Sequence, residues 1–385
     1  MADTRIRKKR KEQSEYFFDY SLLFIVLFLL VFGMVMLYST SSYQAAQDYG
    51  DSLYWLKKQI FAVVLGLIMM IITANIPYHF WEHFAVLGYL VSAALILLII
   101  PFGHEAKGAK RWLYIGGISL QPAEVAKLGM ILFLACMICK MGRSIREKKG
   151  FLLVLAVPIP IVLMVWKITS NMSSAIIIMG ICILMLFVAS PDYKKFVVMA
   201  LVVLLIAGAA VLFIKYAGAE KLGFRGERIL AWMNPEAYAS GKGFQTLQGL
   251  YAIGSGGIWG KGLGQSMQKL GFLPEAQNDM IFSIICEELG LFGAIAIILM
   301  FILLIWRLMI IANNAPDMFG ALLVVGVLGH IAIQVILNIA VVTNSIPNTG
   351  ISLPFISYGG SSVMFLLIEI GLCLSVAKRI QLKEL

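Results

Sequence analysis

The stretch from Phe272 to Gly290, FLPEAQNDMIFSIICEELG, holds the side chains best suited to do chemistry. A polar loop with Pro274, Glu275, Gln277, Asn278 and Asp279 runs straight into an apolar helical run that itself carries Glu287 and Glu288. An ionisable residue at the edge of hydrocarbon is costly and marks a functional site by default. Asp279 stands at that edge, where it can face water while a helix holds it rigidly. A carboxylate so placed suits a general base. Glu275, in the same loop, is the second acid within reach of that role.

Two further stretches offer cations. In KGAKRWLYIGGISLQPAEVAKLG, Lys107 to Gly129, Arg111 beside Trp112 is either an interfacial anchor or a guanidinium for phosphate with an aromatic face for sugar or lipid. Gln121 precedes Pro122, which suits a first helical turn because its missing N–H costs nothing there. Glu124 and Lys127, three apart, share a helix face. Lys127 then lies about 8 Å inward of Gln121. It either reaches up to a head group or snorkels while paired with Glu124. In IGSGGIWGKGLGQS, Ile253 to Ser266, the spacing around Lys261 is not that of a Walker loop, because Ser255 stands five residues before Gly260 and Gly262 follows the lysine. Those glycines suit tight turns and close backbone approach, and Lys261 stays a candidate phosphate contact.

PNTGISLPFISYGGSS, Pro347 to Ser362, is too rich in proline, glycine and serine for a straight helix. Broken backbone at membrane depth is tolerated only where protein or a water cavity covers it. This predicts a cavity beside Asp279, with Ser357 and Tyr358 as candidate contacts to its occupant. His330, Gln334 and Asn338 recur every four residues as one polar stripe, read either as interhelical hydrogen bonding or as a proton path. With Glu369, Glu287 and Glu288 the apolar runs hold more acids than cations.

The elements that must position these groups follow from composition. Of 385 residues, 60% are hydrophobic and 14% charged, with mean hydropathy +0.89; soluble domains carry about 25% charged residues. Apolar runs recur near 19–40, 56–75, 83–101, 122–140, 151–167, 172–190, 195–215, 280–306, 319–344 and 358–377. The expectation is an all-α polytopic membrane protein of about ten transmembrane helices, with one long extracellular loop, 216–279, between spans seven and eight. Residues 1–18 form a basic cytoplasmic tail, 19–377 one transmembrane domain and 378–385 a second cytoplasmic tail. Met1–Tyr16 is polar and basic, so no cleavable signal is expected. Lys and Arg at both termini, at 140–149 and at 194–195 fall on one side of ten spans, which puts both termini in the cytoplasm. Lys107, Lys110 and Arg111 break that trend in a short loop, which points to an anionic ligand there. The net charge of +10 sits in loops between spans, which excludes a nucleic-acid partner and fits anionic lipid head groups. The five cysteines all fall in apolar runs and read as packing residues, Cys136 and Cys139 included.

QPAEVAKLG, IGSGGIWGKGLGQS, LPEAQNDMIF with EELG, and LPFISYGGSS resemble, in order, the signature segments of the SEDS family (shape, elongation, division and sporulation). The likeness covers the whole chain, and GLGQSMQKLGFLPEAQND is similar to the FtsW/SpoVE branch more than to RodA. The resemblance implies a peptidoglycan glycosyltransferase on the outer face of the bacterial cytoplasmic membrane. Its substrate would be lipid II, an undecaprenyl-pyrophosphate-linked disaccharide peptide. Its partners would be a class B penicillin-binding protein and other division or elongation membrane proteins. The family's catalytic aspartate maps onto Asp279, its Arg-Trp pair onto Arg111 and Trp112, and its Gln-Pro-x-Glu and lysine onto Gln121, Glu124 and Lys127. The chain departs from the family at Ala123, at Gln277-Asn278, at Met280 and at Ser170 to Ser174, where an acid is lost.

Polymerising such a lipid needs a base for the acceptor 4-hydroxyl and cations for the departing pyrophosphate. One carboxylate acting with inversion meets that demand. Arg111, Lys127 and, from the long loop, Arg225, Arg228 or Lys261 are the candidate cations. No cofactor is required; a divalent cation could assist, though no ligand cluster declares one. Two other readings stand beside this one. A flippase of the same lipid would use Glu287, Glu288, His330 and Glu369 as a proton path. A non-catalytic scaffold would only hold a penicillin-binding protein in place.

Overall fold

The computed structural model describes residues 19–106, 109–115, 118–190, 192–217, 224–241 and 243–380. The basic tail 1–18, Lys107, Lys221, Lys242 and residues 381–385 lie outside them. Asp19 caps α1 (Tyr20–Tyr49) by accepting the Leu22 N–H at 2.9 Å. After α1 come α2 (Tyr54–Asn75), the short α3 (Tyr78–Glu82) and α4 (Ala85–Phe102). The 102–121 loop is more ordered than its sequence signals. It folds as an antiparallel sheet of β1 (His104–Ala106), β2 (Ala109–Ile115) and β3 (Ile118–Leu120), in that spatial order. Strands this short carry too little periodicity to stand out from a loop.

Pro122 then opens α5 (Pro122–Met141) in the first-turn position expected for it. The next span is broken into α6 (Lys148–Ala156) and α7 (Ile159–Ile168) at Pro158, which has no N–H for a continuous ladder. Asn171 caps α8 (Met172–Ala189), which leads to α9 (Tyr193–Ala217). The long loop holds α10 (Phe224–Met233) and α11 (Phe244–Gly256). Beyond it lie α12 (Ile281–Asn313), α13 (Met318–Val342), capped by Asp317, and α14 (Gly360–Ala377).

Among the described residues ten spans are long and apolar enough to cross a membrane, α6 and α7 counting as one. They coincide with the ten apolar runs. α14 is the most enclosed and α9 the least. α14 packs most extensively against α2. Gly371 makes that possible, since a Cβ there would sit 1.9 Å from Thr73 Oγ1.

Contacts sort the connections onto two opposite faces. On one, the Arg111 side chain meets the carbonyls of Thr169 and Ser170, Ser173 bonds Thr349, and the Tyr358 ring packs on Trp55. On the other, Tyr78 bonds Asp317, Ser375 bonds the Ile76 carbonyl, and Lys195 bonds the Arg146 carbonyl. Asp279 belongs to the first face.

α12 breaks at Gly290, whose φ is 67° and ψ −164°. A break frees carbonyls one turn earlier, and those must find donors. The glycine-rich loop supplies them. Lys261 N donates to the Glu287 carbonyl and Gly262 N to the Glu288 carbonyl, both at 2.9 Å. Such approach needs bare backbone: a Cβ on Gly256 would lie 1.9 Å from the Cys286 carbonyl, and one on Gly260 2.3 Å from that of Glu288. The expected use of these glycines for close approach is met.

Candidate active site around Asp279

Residues 275–280 form a tight turn before α12, with Glu275 at φ 58° and its carbonyl accepting the Asn278 N–H at 2.9 Å. The carbonyls of residues 277–279 each take a donor from another part of the chain. Gln277 O accepts Tyr358 N at 2.9 Å. Asn278 O accepts Ser357 Oγ at 2.6 Å, and Asp279 O accepts Asn338 Nδ2 at 2.8 Å. Asn338 also donates to Ile351 O at 2.7 Å, and Gln334 to Ser352 O at 3.0 Å. The broken segment 347–359 and the polar stripe of α13 together hold the Asp279 turn. Gln334 and Asn338 are structural bonding groups, but apart from the Lys127 contact they bond loop backbone and not a neighbouring helix.

The Asp279 carboxylate is nearly buried, 8% exposed. Gln245 Nε2 lies 3.5 Å from Oδ1 and also donates to Pro274 O at 3.3 Å. Asn348 fixes Gln245 from the other side through a 3.0 Å bond to Oε1. Gly350, at φ 70°, leaves open the space that a side chain would take beside Oδ2. A cavity of about 290 Å³ adjoins this group, lined by Arg228, Trp232, Phe244, Gln245, Pro274 and Asn348 among others. It stands against Gln245 and Asn348, the side chains behind Asp279, while Asp279, Ser357 and Tyr358 do not line it.

Arg228 lines this cavity, and Arg111 is near enough to feel its charge. Burial, and then the like charge of Arg228, pull the Arg111 guanidinium below its ordinary pKa. Burial also lowers Arg228, and the Asp279 carboxylate opposes that shift. Both remain charged, because an arginine starts so high. Arg111 is aimed by its bonds to Thr169 O (3.2 Å) and Ser170 O (3.1 Å). The segment that departs from the family pattern is thus the one that holds Arg111.

The other expected contacts fall in different places. Lys127 is not a snorkelling lysine: it is 1% exposed. Its Nζ lies 2.8 Å from Glu124 Oε2 and 3.5 Å from Gln334 Oε1. Glu124 also accepts a bond from Ser362, so the pair is sealed between α5, α13 and α14. Gln121 stands at the α5 N-cap. Trp112 follows Arg111 on β2, and successive strand residues point to opposite faces, so the two side chains do not serve one ligand side by side. Arg225 lies one turn before Arg228 on α10. Ser357 and Tyr358 bond the Asp279 turn through Oγ and N–H, which makes them builders of the site.

Glu287 and Glu288 are not an excess of unpaired acid. Lys261 Nζ bonds Glu287 Oε1 and Lys269 Nζ bonds Glu288 Oε1, both at 2.7 Å. Ser266 and the Met267 N–H add to Glu287, and Ser39 to Glu288. Lys261 is therefore engaged about two helical turns, roughly 12 Å, from Asp279. His330 and Glu369 bond each other at 2.7 Å, fully buried. Among the described residues no group of three or more acids, histidines or cysteines could hold a metal ion.

Set against known proteins, the chain matches the FtsW/RodA/SpoVE profile, described as a cell cycle protein family, over residues 20–382. The chain belongs to the FtsW/RodA/SpoVE family. It is 39% identical to stage V sporulation protein E of Bacillus subtilis over 94% of this chain and 97% of that one. It is 38% identical to a probable peptidoglycan glycosyltransferase FtsW of Trichlorobacter lovleyi over 99% and 98%. A chain of a peptidoglycan synthase complex that coordinates polymerization and crosslinking has a similar fold, with TM-score 0.78, 27% identity and 95% and 99% coverage. Thermus thermophilus RodA is similar at TM-score 0.68 and 25% identity, over 95% and 98%.

Like its relatives in the FtsW/RodA/SpoVE family, the chain is a multi-pass membrane protein. Within this family member, Gln245 and Asn348 are the site residues that sequence reading missed. An uncharged amide in a long loop gives no signal of its own. Only the suspicion attached to the whole 347–362 segment pointed towards Asn348.

Proposed function

We propose that this chain is a peptidoglycan glycosyltransferase that polymerises lipid II, with Asp279 as general base. The observation that carries the reading is one held carboxylate bonded to Gln245, a side chain that itself lines a cavity presenting arginine. Asp279 is pinned through its backbone and through Gln245, beside a space lined by Arg228. The acceptor 4-hydroxyl gives its proton to Asp279 as its oxygen bonds the anomeric carbon. The bond from that carbon to the undecaprenyl pyrophosphate breaks on the opposite face, so configuration inverts. Arg228 and Arg111 take up the charge on the leaving pyrophosphate.

The buried Lys127–Glu124 pair acts on this chemistry through Gln334, which donates to Ser352 of the broken segment. The cavity face is the outer face, and both termini are cytoplasmic. A class B penicillin-binding protein receives the strand. The flippase reading is weakened, because two of its proton carriers, Glu287 and Glu288, are tied to Lys261 and Lys269.

The test is polymerisation of labelled lipid II by the purified protein with its partner. Asp279→Asn keeps shape and hydrogen bonding but cannot take a proton. It should fold, bind lipid II and lose about 10²–10⁴-fold in rate. Glu275→Gln should keep more activity. Wild-type polymerisation by Asp279→Asn would end the base assignment.

A further inference from the structure

A second cavity, about 340 Å³, lies on the face opposite Asp279. It opens between the end of α5, the end of α8 at Ala189 and the start of α13 at Met318. Ile138, Ile145, Ala189 and Met318 make its apolar wall, and Arg143 and Arg146 supply its charge. Both arginines stand on the 3₁₀ turn Gly142–Arg146. Residues three apart on such a turn eclipse one another, so the two guanidiniums project from one side.

The turn is firmly built. Ile145 is buried, and a Cβ on Gly150 would sit 2.1 Å from the Ser144 carbonyl. Lys195 Nζ holds the Arg146 carbonyl at 3.1 Å. Among the described residues neither guanidinium has a carboxylate within ion-pair distance. The nearby Asp317 is committed elsewhere: it accepts from Tyr78, faces His79 at 3.2 Å and caps α13 through Gly320 N.

Two like charges over an apolar wall call for an anion with an apolar body. Depth agrees. α5 has 20 residues, about 30 Å at 1.5 Å each, so a turn just past its end lies at head-group level. Met318 in the cavity wall is about half exposed, as are Phe187 and Val188 just before Ala189 on α8, which offers acyl chains a path. We propose that this cavity binds the phosphate head group of an anionic phospholipid, with Arg143 and Arg146 on the phosphate. The site is remote from Asp279 and does not depend on the activity proposed above.

Native mass spectrometry of the purified full chain, titrated with phosphatidylglycerol, phosphatidylcholine or inorganic phosphate, tests this. One phosphatidylglycerol should be retained, with phosphatidylcholine retained far less and inorganic phosphate competing poorly. Arg143→Gln with Arg146→Gln should weaken retention by at least about tenfold, the loss of one or more charge-assisted contacts. Lys148→Gln with Lys149→Gln removes two charges from the same loop outside the cavity and should leave retention intact. Ala189→Phe fills the cavity, keeps both arginines and should also lower retention. Retention by both the arginine variant and the filled variant would overturn the site. Equal loss in the lysine variant would reduce it to diffuse charge. Competition by inorganic phosphate at the lipid's own concentration would make it a free-phosphate site and overturn the lipid assignment.

Discussion

The residues around Asp279 divide into those that touch the proposed reactants and those that aim the carboxylate. Arg111 and Arg228 are in the first group. Arg111 lies near enough to Arg228 for the like charge to lower its pKa, and a pyrophosphate bound by both would relieve that repulsion. Arg111→Ala and Arg228→Ala should each lower lipid II polymerisation about 10- to 150-fold, the range for a lost charge-assisted hydrogen bond. Both variants should keep the wild-type melting temperature. Unchanged turnover in both would return Arg111 to an anchoring role. Lys269 shows the opposite case. It is buried and ion-paired with a fully buried glutamate. Lys269→Met should destabilise the fold by about 3–5 kcal/mol, because it removes the cation paired with a fully buried glutamate and leaves only Ser39 and the Ser266 N–H to it. Lys261→Met should cost far less, since Lys261 is one-third exposed and water can replace it. Thermal unfolding of the two variants in one detergent would check the order.

At the scale of elements, the broken α12 and the glycine-rich loop are one device. The break at Gly290 frees carbonyls, and the loop closes them with its own N–H groups. Gly290→Ala would add a Cβ 2.3 Å from Gly260 N at a φ of +67°. With ψ at −164° this backbone is open essentially only to glycine and costs another residue about 1–3 kcal/mol, and overpacking adds about 1–3 kcal/mol. The variant should unfold at lower temperature and polymerise more slowly, because the Asp279 turn sits at the head of the same helix. A wild-type melting curve for Gly290→Ala would show that the loop moves freely from α12.

For the whole molecule, the two faces make a topological claim that labelling can check. In a cysteine-free background, Leu263→Cys lies on the Asp279 face and Lys148→Cys on the opposite face, both exposed. A membrane-impermeant maleimide added to intact cells should label the first and spare the second. The reverse result would invert the orientation and move the proposed active site into the cytoplasm.

Helix number was legible in the sequence, although α1 runs on to Tyr49 and α12 to Asn313, past the apolar runs 19–40 and 280–306. Backbone in hydrocarbon must satisfy its own hydrogen bonds, so an apolar run of sufficient length has only one structure open to it. Asp279 stood out as a candidate because an acid at the edge of hydrocarbon is costly. The sheet over 104–120 was not, because its strands are too short for a period to register. Nor was the company each polar residue keeps. Lys127 beside Glu124 looked the same on paper whether it snorkelled or was sealed, and α13 and α14 decided it by closing over the pair. Glu287 and Glu288 looked like spare protons until Lys261 and Lys269, about twenty residues upstream, came back to meet them. Gln245 and Asn348 join the site only because α11 and the broken segment are brought to the head of α12. Local chemistry dictates which segments cross a membrane. Pairing across long loops depends on how the helices pack, and that is settled only when all of them are in place.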